Sequence, residues 1–240
     1  MSIGIVIPTY KLCDHRLDNL AFILRHMTSD EIPNIYVVEQ LSQDDSVRRV
    51  LESFPQVRYI NKSIDGDTFN KSKLINHSVN ELQFKYIWIY DVDVFLDIGF
   101  VLRNMPEQVD VVRPFEKIIM LNEHESDKLK RTDLIYLDKR NFDGYNSFGK
   151  FSLILNRDIF EKVGGYDETF QGWGFQDLDL THRIPKGCYR GYMTNTGFHM
   201  WHPRPSTEFY ETNKNSFIKR HVRATKRTRK KKKNNLLDRF

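Results

Sequence analysis

The chain is expected to fold as an α/β domain on a doubly wound, mixed but largely parallel sheet, and three observations carry that expectation. Short β-branched runs alternate with stretches of helical periodicity from residue 3 to residue 90, the order that builds parallel sheets. No Gly/Ser/Pro-rich linker interrupts the 240 residues, so one large core can form. The apolar run Tyr86-Ile-Trp-Ile-Tyr90 passes directly into Asp91-Val-Asp93, a buried strand ended by two carboxylates, and in open α/β sheets ligands sit beyond such strand ends.

The elements follow in order. Ile3 to Ile7 is a strand stopped by Pro8, and Leu17, Leu20, Ala21, Leu24 and Met27 recur at helical spacing after it. Ile35 to Val38 reads as the second strand, Asp44 to Phe54 as a helix and Val57 to Ile60 as the third strand. Asn70 to Phe84 is a helix with Leu74, Ile75, Val79 and Leu82 inward, and Tyr86 to Tyr90 is the fourth strand. Beyond it the pattern loosens. Val109 to Val112, Ile118 to Leu121 and Phe151 to Leu155 read as strands, Arg157 to Val163 as a short helix capped by Asn156, and Phe175 to Ile184 as another helix. Residues 1–218 are expected to form one catalytic domain and residues 219–240 a basic, disordered tail.

The formal charge of +5 is unevenly placed. From Lys219 onward eleven Lys/Arg face only Asp238, a net of +10, which leaves −5 for residues 1–218. Seven of those charges lie in Lys226-Arg-Thr-Arg-Lys-Lys-Lys-Lys233, a solvated run able to meet an anionic membrane or another polyanion. A nucleic-acid-binding protein is the rival reading, and the acidic body argues against it, since it would repel a phosphate backbone. Cys13 and Cys188 stand far apart with no Cys-x-x-Cys, are expected to be ordinary core residues, and fit a reducing compartment. No segment reads as a signal peptide or membrane span, so the expected location is cytoplasmic, peripheral at a membrane if the tail binds lipid.

Three segments carry chemistry. Asp91 and Asp93 give a hard divalent cation oxygen ligands while leaving positions free for a diphosphate. The loop Gly164-Gly-Tyr-Asp-Glu-Thr-Phe-Gln-Gly-Trp-Gly174 has the glycines of a hinge and one large aromatic, Trp173, which reads as a lid. Asp177 follows in the first turns of a helix, where the dipole favours a carboxylate and a general base can stand. Asp179, two residues on, is expected to be a solvated charge or cap partner on another face. His199-Met-Trp-His202, on a helix or turn ended by Pro203, offers imidazoles to complement the carboxylates, with Met200 also able to face the site. Such a mixed nitrogen and oxygen set suits Mn²⁺ better than Ca²⁺.

Taken together, Phe69-Asn-Lys-Ser-Lys-Leu-Ile-Asn76, Asp91-Val-Asp93, Phe148-Gly-Lys-Phe-Ser152, Gly164-Gly-Tyr166, Gly172-Trp-Gly-Phe-Gln-Asp-Leu-Asp179 and His199-Met-Trp-His202 occur in the order and approximate spacing of the β-1,4-galactosyltransferase family. More broadly the chain resembles inverting GT-A glycosyltransferases, whose opening strand and turn are similar to Ile3 to Tyr10. The resemblance spans roughly residues 3–205.

What the resemblance implies is specific. Pro8, Thr9 and Tyr10 would line the nucleotide pocket, with Phe69 and Lys71 near the uridine and ribose, Glu39 near the base and Asp91 on the sugar nucleotide. Asp93 and His202 would ligate Mn²⁺ (or Mg²⁺), with His199 where the family often has a methionine ligand. Asp177 would be the catalytic base, and Trp173 the lid tryptophan touching donor and acceptor. The implied activity is inverting transfer of a hexose or N-acetylhexosamine from a UDP-linked donor to a glycan hydroxyl. Gln176 stands where the family has an acceptor-binding glutamate, so an inactive sugar-nucleotide-binding relative is the second alternative. Ser147 falls where a tyrosine restricts the donor, and no counterpart of the family's membrane anchor and stem is read.

Overall fold

The computed structural model describes residues 2–29, 32, 34–132, 142, 145–147, 152–204 and 206–222, of which 29, 145–147 and 222 are described by backbone alone. The order of the first half is β1 (Ile3–Thr9), α1 (Asp14–Ser29), β2 (Ile35–Gln40), α2 (Ser46–Leu51), β3 (Arg58–Lys62), α3 (Lys71–Glu81) and β4 (Tyr86–Tyr90). The second half adds β5 (Val94–Phe95), α4 (Ile98–Arg103), β6 (Val111–Arg113), β7 (Lys117–Met120), α5 (Glu123–Arg131), β8 (Tyr145–Ser147), β9 (Ser152–Asn156) and α6 (Arg157–Lys162). It closes with α7 (Gln176–Arg183), β10 (Arg190–Tyr192), β11 (Thr196–His199), α8 (Tyr210–Phe217) and a π-turn at Ile218–Val222.

The main sheet has seven strands in the order β10-β6-β9-β4-β1-β2-β3, and a second sheet runs β5-β11-β7-β8. β9 alone in the main sheet runs antiparallel, pairing with both β4 and β6. Alternation along each strand sorts the core into two layers. Ile5, Ile7, Val37, Trp88 and Tyr90 face α1, with its Leu20, Ile23, Leu24 and Met27. Val6, Val38, Ile87 and Ile89 face Leu74, Ile75 and Val79 of α3. Parallel strands covered on both faces read as continuous apolar runs, which is why β1, β2 and β4 were legible. A hydrogen bond of 2.6 Å from Trp88 Nε1 to Ser152 Oγ fixes β9 against β4 inside that core.

Several expectations need correction. Cys13 is exposed and not a core residue, whereas Cys188 is half-buried and packs against the α3-side layer of the core. The helix after Asp44 is shorter than its periodicity, because the Asp44 carboxylate accepts from the Ser46 N–H and hydroxyl and delays the first turn. The domain does not stop at residue 218: α8 continues into the π-turn, whose Arg220 and His221 reach Asp179 in α7. The basic run from residue 223 and residues 148–151 lie outside the described residues. Among the described residues no helix is long and apolar enough to cross a membrane.

Candidate active site

β1, β2 and β4 are parallel neighbours, so their C-terminal ends open on one edge of the sheet. Lys71, the first residue of α3, stands there between two carboxylates. Its Nζ lies 2.8 Å from Asp91 Oδ1 and 3.2 Å from both Asp177 oxygens. Burial pulls the lysine pKa down, but Asp177 and Asp91 outweigh it and hold the ammonium charged. Burial pushes Asp91 up to about 6, with Lys71 opposing and Asp177 and Asp93 reinforcing the rise. Lys71, expected near the uridine and ribose, bridges Asp91 and Asp177 here.

Asp177 also accepts a hydrogen bond of 2.6 Å from the hydroxyl of Tyr166, a side chain 2% exposed. α3 positions this partner as well. Asn76 accepts from the Tyr166 N–H and donates to the Tyr166 carbonyl, each at 2.9 Å, a reciprocal clamp that closes on Gly165 at φ +64°. One helix therefore holds both groups that hold Asp177.

Two residues beyond Asp91, Asp93 is buried among cations. β11 pairs with β5 so that His199 lies opposite Val94, and the Met200 N–H donates to the Asp93 carbonyl at 2.7 Å. That pairing brings His199 Nε2 to 3.5 Å and His202 Nε2 to 3.1 Å from the Asp93 carboxylate. One ligand atom from each of Asp93, His199 and His202 falls within 4.8 Å of the others. Burial pulls the His199 imidazole below its ordinary value in spite of Asp93, which favours the neutral ligating form. His202 turns Nδ1 toward the Pro203 carbonyl at 2.7 Å, the outer hydrogen bond that fixes a ligating tautomer with Nε2 toward Asp93. One carboxylate and two imidazoles so arranged fit a divalent transition-metal cation. Arg16 Nη2, 2.9 Å from Asp93 Oδ2, adds a fixed positive charge. Burial would raise the Asp93 pKa, but Arg16, His199 and His202 hold it well below the usual carboxylate range. Met200, just past the end of β11, is fully buried in the core and does not face the site.

The nucleotide-side candidates meet at the ends of β1 and β2. Pro8 pairs with Val38 and Thr9 with Glu39; both strand residues are buried, and the Thr9 hydroxyl donates to the Val38 carbonyl. Tyr10 stacks on Phe69 with ring centroids 5.9 Å apart and planes 10° apart, while its hydroxyl donates to the Asp67 carbonyl. Glu39 accepts from Tyr59 at 2.6 Å, and its other oxygen has no partner among the described residues. Burial raises its pKa above the ordinary carboxylate value.

The loop read as a lid is built on left-handed backbone: Gly172 at φ 58°, Gly174 at φ 107° and Phe175 at φ 71°. Trp173 is 51% exposed, so it is not a core residue. Gln176 is buried, and its amide donates to the Gly172 carbonyl at 2.6 Å, which commits that group to shaping the loop. Asp179 is not a solvated charge. It is fully buried and paired with Arg183 at 2.7 Å, Arg220 at 3.0 Å and His221 at 2.7 Å. Ser147 lies in β8 opposite Ile118, and its side chain is outside the described residues. Arg16, Asn76 and Tyr166 were missed as site residues. The segments Phe69 to Asn76 and Gly164-Gly-Tyr166 contained two of them, Asn76 and Tyr166.

Comparison with known proteins bears on this geometry. A family described as "Glycosyltransferase like family 2" matches residues 4–197. A search of curated proteins gives no match. Among solved structures, the mannosyltransferase PcManGT of Pyrobaculum calidifontis, in complex with GDP-Man and Mn²⁺, is similar at TM-score 0.55 and 16% identity over 85% of this chain. The chain spans 58% of that protein's length. The catalytic domain of Drosophila β1,4-galactosyltransferase 7, solved with xylobiose, is similar at TM-score 0.54 and 17% identity, over 86% of this chain and 74% of that one. S. aureus TarS reaches TM-score 0.59 at 11% identity, over 91% of this chain and 39% of that one. At these identities the likeness is one of fold, the GT-A fold. The profile match over most of the chain goes further: this GT-A protein belongs to glycosyltransferase-like family 2.

Proposed function

We propose that the protein is an inverting, metal-dependent glycosyltransferase that moves a hexose or N-acetylhexosamine from a nucleotide sugar, in our reading UDP-linked, to a glycan hydroxyl. The observation that carries this reading is the chain of groups at one sheet edge: Asp177, bridged by Lys71 to Asp91, with the Asp93, His199 and His202 cluster two residues further on. A divalent cation, Mn²⁺ or Mg²⁺, held by Asp93, His199 and His202 would neutralise the leaving diphosphate. Arg16 supplies a second positive charge beside it.

The chain's own groups do the rest. Tyr10, Phe69 and Glu39 form a stacked aromatic wall and a buried acceptor at the ends of β1 and β2, suited to a nucleobase and its ring N–H. Asp177 accepts hydrogen bonds from Tyr166 and Lys71, which hold it in place. As a base it takes the acceptor hydroxyl's proton while that oxygen attacks the anomeric carbon and the bond to the diphosphate breaks, which inverts the configuration. The basic run from Lys226 to Lys233 gives the protein a means of meeting an anionic membrane from the cytoplasmic side.

The test is a panel of UDP- and GDP-sugars with Mn²⁺, reading free nucleoside diphosphate with and without added glycoside acceptors. Acceptor-dependent release with at least one donor is expected. Tight donor binding without release would instead favour an inactive sugar-nucleotide-binding protein.

A further inference from the structure

The lid loop is held by a segment beyond the residues 4–197 that match the family. Asn213 of α8, 2% exposed, donates through Nδ2 to the Gln171 carbonyl at 2.8 Å and the Trp173 carbonyl at 3.3 Å. Tyr210 lies against the Trp173 indole with centroids 5.2 Å apart and planes 18° apart, and against Phe175 at 5.3 Å. At both lid glycines, an aromatic ring from this segment fills the space where a side chain would go. A Cβ on Gly172 would meet Phe209 at 3.1 Å, and one on Gly174 would meet Tyr210 at 3.0 Å. The segment is itself anchored: Phe217 packs on Phe175, Arg220 pairs with Asp167 and Asp179, and His221 pairs with Asp179.

We propose that residues 209–222 are a clasp that sets the lid, and that Tyr210 and Asn213 are positioning residues for the acceptor. Tyr210 covers one side of the indole and leaves the other to solvent, so Trp173 presents a single fixed apolar face. A pyranose ring stacks its C–H face on such a surface, and the clasp has already restricted the ring that receives it. The inference rests on the glycosyltransferase reading for its substrate class, but the clasp itself does not.

The experiment uses the full chain and the variants Tyr210→Leu and Asn213→Ala. Acrylamide quenching of Trp173 emission is obtained by difference from Trp173→Phe, and hydrogen exchange is followed across the lid. Acceptor KM is measured with p-nitrophenyl glycosides at a saturating donor. In both variants, quenching should rise about twofold and acceptor KM about fivefold, the scale of one lost aromatic contact, while donor KM stays at the parent's value. Lid exchange should quicken in both. Parent-like quenching and exchange overturn the clasp. A parent-like acceptor KM, or a donor KM that rises equally, overturns the positioning role. If the parent transfers to none of the glycosides, the glycosyltransferase reading is what fails, and quenching and exchange alone decide the clasp.

Discussion

Asp177 and Asp179 lie two positions apart and do different things, because a helix turns them to different surroundings. Asp177 faces Lys71 and Tyr166 at the open edge, with its side chain 27% exposed, whereas Asp179 faces a closed nest of cations at 0%. Replacing Asp177 with Asn is expected to cut transfer at least about a hundredfold, the lower scale of a general-base contribution, with donor affinity unchanged. Tyr166→Phe should cost about tenfold in kcat and leave KM near the parent's, since it frees the base to wander without touching the donor. Steady-state kinetics on the two variants check both. Asp179→Asn behaves differently: removing one partner from a buried charge cluster should lower unfolding stability by about 3 kcal/mol, read from urea melts. An Asp177→Asn enzyme that turns over normally would dismiss the base assignment. The sequence made Asp177 legible because it follows the Gly172-Trp-Gly174 segment. It hid Asp179's burial, because the partners Arg220 and His221 arrive from 41 and 42 residues away.

At the level of elements, the strand ends were readable and the cross-links were not. A parallel strand buried on both faces announces itself as an apolar run, and the carboxylates that end it announce the edge. The pairings Lys71 with Asp177, Tyr166 with Asn76 and Arg16 with Asp93 span the whole site and leave no periodicity. β5, β10 and β11 are too short to give a pattern, although β11 is what delivers His199 to Asp93. α3 carries the most consequence of any element, since Lys71 and Asn76 both leave from it toward Asp177 and its partner. Gly165 is where that arrangement is tightest. A Cβ there would lie 2.5 Å from Asn76 Oδ1, on backbone at φ +64°. Gly165→Ala should therefore cost about 2 kcal/mol and lower kcat in the manner of Tyr166→Phe. Melting and kinetics on that variant decide it; an unchanged kcat would mean that the Asn76 clamp does not set the tyrosine.

For the whole molecule, pH and metal should act through different regions. Burial would raise the Asp167 pKa, but the Thr169 N–H and hydroxyl and the Arg220 guanidinium outweigh it and leave the value lowered. Stability from a carboxyl with a depressed folded pKa is complete above the unfolded value of about 3.9 and is lost as pH falls through the folded one. The urea midpoint of the parent should therefore exceed that of Asp167→Asn at pH 6, and the gap should narrow as pH falls below about 3.9. The proposed cation belongs elsewhere, where Asp93, just past β4, meets His199 of β11 and His202. A ligand that binds only the folded state stabilises it by mass action, about 2.7 kcal/mol at a hundredfold excess over Kd. Mn²⁺ should raise the parent's unfolding free energy by about that amount at neutral pH. In His202→Ala and Asp93→Asn the Mn²⁺-induced increment should vanish. Comparing each variant with and without Mn²⁺ cancels the cost of losing the Arg16–Asp93 pair, so the increment reports ligation alone. An increment of parental size in both variants would move the cation away from this cluster and leave Asp93 as the counter-charge of Arg16.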